Sequence, residues 1–143
     1  MNPEAAIEVR AATEADLEEI WRIQSACDQA SQWKAGDYLK HQCLIATIGG
    51  RAAGFAVARR TAADEMEILN VAIDPVFRRR GAARRLMEQL LARFRGSVFL
   101  EVRQSNLAAR KLYHSLGFET VAIRPDYYQE PGESGIVMKF HSC

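Results

Sequence analysis

The 143-residue chain is 48% apolar and 26% charged with a net charge of +1, the size and balance of one soluble globular domain, which excludes disordered, collagen-like and disulfide-scaffold classes. No stretch reaches the roughly 18 consecutive apolar residues of a membrane span, and Met1-Asn2-Pro3-Glu4 lacks the basic-then-apolar start of a signal peptide, so a cytoplasmic protein is expected. The near-neutral total hides an asymmetry: residues 78–95 hold seven Arg against one Glu and residues 1–28 hold seven acids against two Arg, which places an expected anion near the Arg cluster.

In chain order, Ile7 and Val9 alternate as a short strand, and Thr13, three residues before Asp16, is a good N-cap for a helix over 14–27. Leu17, Ile20, Trp21, Gln24 and Cys27 share one face of that helix. Asp37 caps a shorter second helix, after which 43–48 and 53–58 form a hairpin around Gly49-Gly50-Arg51. A strand over 66–73 stops at Asp74-Pro75, because proline removes a ladder donor and disfavours helix in the residue before it. The spacing of Leu86, Met87, Leu90, Leu91 and Phe94 predicts a helix over 81–95 with Gly96 as its stop. A strand over 98–102, a helix over 106–116 ended by Gly117, and closing strands over 119–124 and 136–140 complete an α/β (α+β) fold. Its sheet is mixed and mostly antiparallel, with about seven strands flanked by about four helices.

Cys27, Cys43 and Cys143 are odd in number and lack C-x-x-C spacing, so reduced, buried thiols are expected rather than a disulfide framework or zinc site. His41, His114 and His141 show no ligand spacing either, and no metal is expected.

Arg78-Arg79-Arg80-Gly81-Ala82-Ala83, with Arg84 just beyond, joins the 66–73 strand to the first turn of the next helix. There backbone N–H groups lack partners and the helix dipole is positive, which makes a cradle for phosphate. Small residues at 81–83 let a pyrophosphate approach the backbone, and the guanidinium groups add charge-assisted hydrogen bonds. The segment has neither the Lys-Ser/Thr ending of a Walker loop nor a G-x-G-x-x-G motif. Taken alone, a solvated basic helix start accounts for it equally well.

Its neighbours decide between the two. Asn70-Val71-Ala72-Ile73-Asp74-Pro75 followed by Arg-x-x-Gly-x-Ala at Arg78, Gly81 and Ala83 resembles the acetyl-CoA motif of the GNAT superfamily of N-acetyltransferases. Leu100-Glu101-Val102-Arg103, Ser105-Asn106, Ala109, Leu112-Tyr113 and Leu116-Gly117-Phe118 continue the resemblance in order. Arg124, Tyr127 and Tyr128 resemble the R-x-x-Y-Y ending of the bacterial branch that acetylates a ribosomal protein's N-terminal alanine. The departures are Ala83 in place of glycine, Ser134-Gly135 where that branch commonly has an aspartate, and Gln32-Trp33 where a Pro-Trp pair often stands.

The resemblance implies acetyl-CoA as cosubstrate, held by the loop and by Asn106. Backbone groups at Val71, Ala72 and Ile73 would serve the pantetheine arm, since an amide-bearing chain can add to a sheet edge as a peptide does. Acetyl transfer needs a neutral amine and a proton for the departing thiolate. An α-amine, with a reference pKa of about 8 against about 10.4 for lysine, is the easier acceptor to deprotonate. Glu101 is the implied base, although spacing alone favours a surface carboxylate, and it points opposite to Leu100 and Val102. Tyr113 is the implied acid, its phenol a donor at neutral pH; the plain alternative is a half-buried core aromatic. Asn106 and Tyr113 are read on one helical face with Ala109 between them. Trp33, Tyr127 and Tyr128 are candidates for the acceptor entrance, each with packing as the other reading.

The leading function is therefore Nα-acetylation of a protein N-terminus, such as that of a ribosomal protein, by direct transfer. A small amine or a lysine side chain is the alternative acceptor, and a non-catalytic acyl-CoA-binding module the alternative class. RNA binding by the Arg cluster conflicts with the near-neutral charge and the absence of interleaved aromatics. A monomer or weak dimer is expected.

Overall fold

The computed structural model describes residues 6–27, 34–92, 94–129 and 132–142. Seven strands and three α-helices follow in the order β1 (Ile7–Ala11), α1 (Leu17–Ser25), β2 (Gln42–Ile48), β3 (Arg51–Ala62), β4 (Glu65–Ile73), α2 (Ala82–Ala92), β5 (Gly96–Arg103), α3 (Leu107–Ser115), β6 (Glu119–Gln129) and β7 (Gly132–Ser142). Hydrogen bonding orders the strands β1-β2-β3-β4-β5-β7-β6. The β4–β5 pair is parallel, as a crossover through α2 requires, and the pairs β1–β2, β2–β3, β5–β7 and β6–β7 are antiparallel. This is the mixed, mostly antiparallel sheet expected. Among the described residues there are three α-helices rather than about four, because the segment around Asp37 forms a 3-10 helix over Ala35–Lys40.

The chain divides into two compact units, Met1–Arg59 with Leu69–Arg93, and Arg60–Ile68 with Phe94–Cys143. In the first, Thr13 does open the helical segment, its N–H donating to Asp16 Oδ2 at 2.8 Å. The first turn, Glu14–Asp16, is 3-10 in form and α1 proper begins at Leu17. Ile20, Ile23 and Gln24 are the buried side of α1, while Trp21, expected on that side, is 61% exposed. The core gathers Ile20, Ile23, Cys27, Tyr38, Cys43, Phe55, Val57 and Ala72. Fully burying a side chain of Phe55's kind contributes about 1.5–3 kcal/mol. Inside this apolar cluster the Tyr38 hydroxyl donates to Gln24 Oε1 and accepts from Asn70 Nδ2 at 2.9 Å, so three buried polar side chains satisfy one another. The β2–β3 hairpin turns at Gly49-Gly50, both at positive φ, as a two-residue turn of matching twist demands.

In the second unit, β5 alternates strictly: Val98, Leu100 and Val102 are buried, while Phe99, Glu101 and Arg103 face the other side half-buried. Val98 lies opposite Phe140, Leu100 opposite Met138 and Val102 opposite Ile136 on β7. Tyr113 of α3 packs on Phe118 (5.9 Å between centroids), which packs on Phe140 (5.5 Å). Gly117 ends α3 at φ +105, with the Phe118 N–H donating to Tyr113 O and the Gly117 N–H to His114 O. Gly96 is not a helix stop: it opens β5 opposite Ser142, and Ser97 N–H donates to Asp64 O at 2.9 Å. Phe94, read as part of α2's apolar face, lies beyond that helix and is buried with the Arg60 guanidinium 5.2 Å from its ring.

Candidate active site

The first unit holds the segment expected to bind phosphate, which follows from the end of β4. Along β4 burial alternates, with Asn70 and Ala72 inward and Val71 and Ile73 on the half-exposed side. The ladder between β4 and β5 pairs Glu65–Glu67 with Ser97–Phe99. At the strand's end Asp74 caps a 3-10 turn over Pro75–Phe77, its Oδ1 accepting the Val76 N–H at 3.0 Å and its Oδ2 accepting Arg22 Nη1 at 2.8 Å. Burial pushes the Asp74 carboxyl up, but these hydrogen bonds outweigh it and hold it below its ordinary value. Phe77, fully buried beneath the turn, carries the Arg51 guanidinium at 5.2 Å and the Arg80 guanidinium at 5.8 Å from its ring centre.

The chain then reverses through two left-handed residues, Arg79 at φ +64 and Gly81 at φ +88. Gly81 O accepts the Arg85 N–H at 3.0 Å, the first bond of α2, which leaves the N–H groups of the helix's opening turn without intrahelical partners. A Cβ at Gly81 would meet only Ile7 Cδ1, at 4.0 Å, so glycine is required there by backbone conformation and not by lack of room. The first turn of α2 contains no acidic residue. Successive amides around left-handed residues, a helix N-terminus and a run of arginines are together groups that could hold an anion such as a pyrophosphate. Arg78 stands by the Cys27 thiol, which donates to Ile73 O at 3.1 Å; burial raises that thiol's pKa and Arg78 offsets part of the rise. Cys43 is pushed up by burial to about 12, and Cys27 and Cys43 are both buried free thiols, as expected.

The second unit holds the expected acid and base. The Tyr113 ring is buried on α3, and burial pushes its hydroxyl to about 12, so it remains a donor throughout the working pH range. Asn106, expected to begin the same helical face, stands one residue before α3 as its N-cap, with Oδ1 accepting the Ala109 N–H at 3.2 Å. Its side-chain oxygen is therefore committed to the helix.

Glu101 faces away from the Leu100 and Val102 side, as alternation requires. Gly135 floors its carboxylate: a Cβ there would lie 3.2 Å from Glu101 Cδ and 3.3 Å from Oε2. Arg124 Nη1 donates to Glu101 Oε1 at 2.9 Å and Oε2 at 3.4 Å. Arg124 is opposite Gly135 in the β6–β7 ladder, but the next matched pair is Tyr128 with Glu133, so β6 carries extra residues between them. Pro125, which has no N–H to donate, and Asp126 at φ +53 make this bulge. The strand read as ending at residue 124 thus continues to Gln129, and the bulge sends its two tyrosines to different partners. Tyr127, 48% exposed, lies under the Arg124 guanidinium at 4.4 Å; Tyr128, half-buried, lies under that of Arg103 at 4.2 Å. Burial raises the Tyr128 hydroxyl to about 12, helped by the Glu101 charge. Arg103 is itself held by Glu133 Oε1 at 3.1 Å, and Ser105 N–H donates to Glu133 Oε2.

Residues 9–118 match the Acetyltransferase (GNAT) family. The chain belongs to that family. As a GNAT member it is an acetyl-CoA-dependent N-acetyltransferase. It is 34% identical over 140 residues to the [ribosomal protein bS18]-alanine N-acetyltransferase of Haemophilus ducreyi, covering 90% of this chain and 95% of that one. It is 38% identical over 134 residues to the enzyme of the same name from Salmonella typhimurium, covering 86% and 89%. The solved ribosomal-protein-S18-alanine N-acetyltransferase of Escherichia coli superposes with a TM-score of 0.85 at 29% identity, covering 96% of each chain. Ard1 from Thermoplasma volcanium gives 0.84 at 28% identity, covering 96% of this chain and 99% of that one.

Of the residues expected at a GNAT site, Glu101, Arg124, Tyr127 and Tyr128 come together, and residues 78–84 form one turn that leads into α2. Trp33 lies outside the described residues. Four contributors were missed. Asp74 and Arg22 fix the entry to the cradle, and Asp-Pro at a strand end was a legible capping signal for the first of them. Phe77 supports two guanidinium groups. Gly135 makes room for Glu101, and its role depends on a cross-strand register no local motif records. Among the described residues no three of His, Cys, Asp and Glu cluster as a metal site, and no helix is long and apolar enough to cross a membrane.

Proposed function

We propose that this N-acetyltransferase acts on the N-terminal α-amine of a protein, an alanine-first chain such as that of a ribosomal protein, by direct transfer. The observation that carries the reading is the folding of Arg124-x-x-Tyr127-Tyr128 onto the Glu101 carboxylate, which joins an exposed tyrosine, a half-buried one and a carboxylate in one cluster. An extended peptide backbone can lie on such tyrosines with its first amine at the carboxylate. The full-length likeness to bS18-alanine N-acetyltransferases supports the same acceptor.

Acetyl-CoA supplies the thioester carbon and the thiolate leaving group. The cradle over residues 78–83 holds its phosphates on backbone N–H groups and guanidinium charge, with Arg84 adding charge one residue on, and the amide nitrogen of Asn106 remains suited to donate to it. Val71, Ala72 and Ile73 present strand backbone for the pantetheine amides. Glu101 takes a proton from the acceptor's ammonium, directly or through water. The neutral nitrogen then attacks, forming the C–N bond as the C–S bond breaks, and Tyr113 gives its hydroxyl proton to the sulfur. The second proton of the former amine restores Tyr113, so the net products are an amide, a thiol and one proton released from Glu101.

The test is a panel of short peptides differing in their first residue, together with small amines, followed by CoA release. Alanine-first peptides are expected to have the highest kcat/KM. Equal or better turnover of a small polyamine would overturn the acceptor assignment.

A further inference from the structure

Glu101 and Arg124 are unequal partners. The Glu101 side chain is 18% exposed, held by its strand and floored by Gly135, while that of Arg124 is 55% exposed. A single nitrogen of Arg124 serves both carboxylate oxygens, at 2.9 and 3.4 Å. Contrast Arg10 and Asp16, where two nitrogens make two bonds of 2.8 Å in the fork-to-fork geometry that holds such pairs firmly. In the same position the Arg124 guanidinium also rests on the Tyr127 ring, 4.4 Å away, a contact that does not depend on Glu101. Arg103, the other arginine of the cluster, is engaged by Glu133 and Tyr128.

The acceptor of the reaction arrives mostly as an ammonium at neutral pH, since an α-amine has a pKa of about 8. Its charge and its N–H donors suit the same carboxylate oxygens that Arg124 holds. We propose that Arg124 is a resident counter-ion of Glu101: it occupies the place of the acceptor's ammonium in the empty enzyme, withdraws onto Tyr127 when an N-terminus binds, and thereby sets the affinity for the acceptor. This rests on the reading of Glu101 as the base. Any amine that binds must replace a cation already in place, so a weakly held amine is disfavoured against a peptide that also gains contacts along the tyrosines. Arg124 is then a specificity residue and not a catalytic one.

The experiment is steady-state kinetics of the full chain with saturating acetyl-CoA and a varied alanine-first peptide, for wild type, R124Q, R124K, E101Q and the double variant E101Q/R124Q, with melting curves to check folding. Removing the competitor is expected to lower the peptide KM about two- to fivefold, the factor corresponding to the small net worth of an exposed ion pair, with kcat changing less. R124K is expected to return KM toward wild type, and added methylguanidinium to raise the KM of R124Q. In the E101Q background, removal of Arg124 should leave KM unchanged, because nothing remains to compete for. A raised KM in R124Q would make Arg124 a peptide contact, and a lowered kcat with unchanged KM would make it only a support for Glu101; either overturns the proposal. Wild-type kcat in E101Q would instead remove the base reading, and it is distinguished because it appears without any change at Arg124.

Discussion

A substitution series at Gly81 separates the two physical reasons for the phosphate cradle. With φ at +88 and only Ile7 Cδ1 within 4.0 Å of a would-be Cβ, alanine fits the space but not the conformation. A left-handed non-glycine residue costs roughly 1–2 kcal/mol, which asparagine partly avoids. Gly81→Ala should therefore lower stability by about that amount, and Gly81→Asn by less. Gly81→Asp adds a negative charge where a pyrophosphate is expected. At about 4 Å and an effective dielectric of about 20 the repulsion is near 4 kcal/mol, almost three decades in Kd. The assay is calorimetric titration and thermal shift with CoA and desulfo-CoA, where wild type should gain about 2.7 kcal/mol at a hundredfold excess over Kd. Desulfo-CoA should match CoA closely, because the loop holds phosphates. Wild-type affinity in Gly81→Asp, or equal losses in the alanine and aspartate variants, would refute the placement of the phosphates at this turn.

Tyr113→Phe should retain most CoA affinity yet lose about 10² to 10⁴ in turnover, the usual contribution of a positioned acid, and raising the pH should not restore it. In Glu101→Gln the deficit should shrink as pH rises toward the α-amine pKa of about 8, because the acceptor then deprotonates unaided; a pH-independent deficit in the rate profile would remove Glu101 as the base. Gly135→Ala should slow turnover with little loss of CoA affinity, since its methyl would stand 3.2 Å from Glu101 Cδ; calorimetry and initial rates check both. Arg10 hydrogen bonds hold the Asp16 carboxyl down at about 2, so this pair stabilises the fold above the ordinary aspartate range and the contribution is lost as pH falls from about 4 through 2. Asp16→Asn should remove on the order of 1 kcal/mol at neutral pH and flatten acid denaturation over that window in urea melts.

How far the chain could be read in advance followed the range of the forces involved. Periodicity and turn chemistry are local, so β1 through β7 and the three α-helices were legible, as were Gly49-Gly50 and the stop at Asp74-Pro75. The basic turn between β4 and α2 was legible because a strand, a run of arginines and a helix start are consecutive in sequence. Trp21 was misplaced because a helical wheel assigns a face without knowing how wide the buried stripe is, and Ile20, Ile23 and Gln24 fill it. The extension of β6 through Tyr127 and Tyr128 escaped because Pro125 argues against a strand, whereas a bulge tolerates it. The contact between Arg124 and Glu101, 23 residues apart, depends on the registers of β5–β7 and β6–β7 together, which no single stretch of sequence records.

Mass-spectrometric mapping of the acetyl group on an alanine-first peptide carrying one internal lysine tests the central claim most directly, with an Nα-blocked copy of the same peptide in a parallel tube. One acetyl group on the alanine nitrogen, the lysine unmodified and the blocked copy left untouched is the expected result. Acetylation of the lysine in the blocked copy at a comparable rate would contradict an enzyme built for protein N-termini.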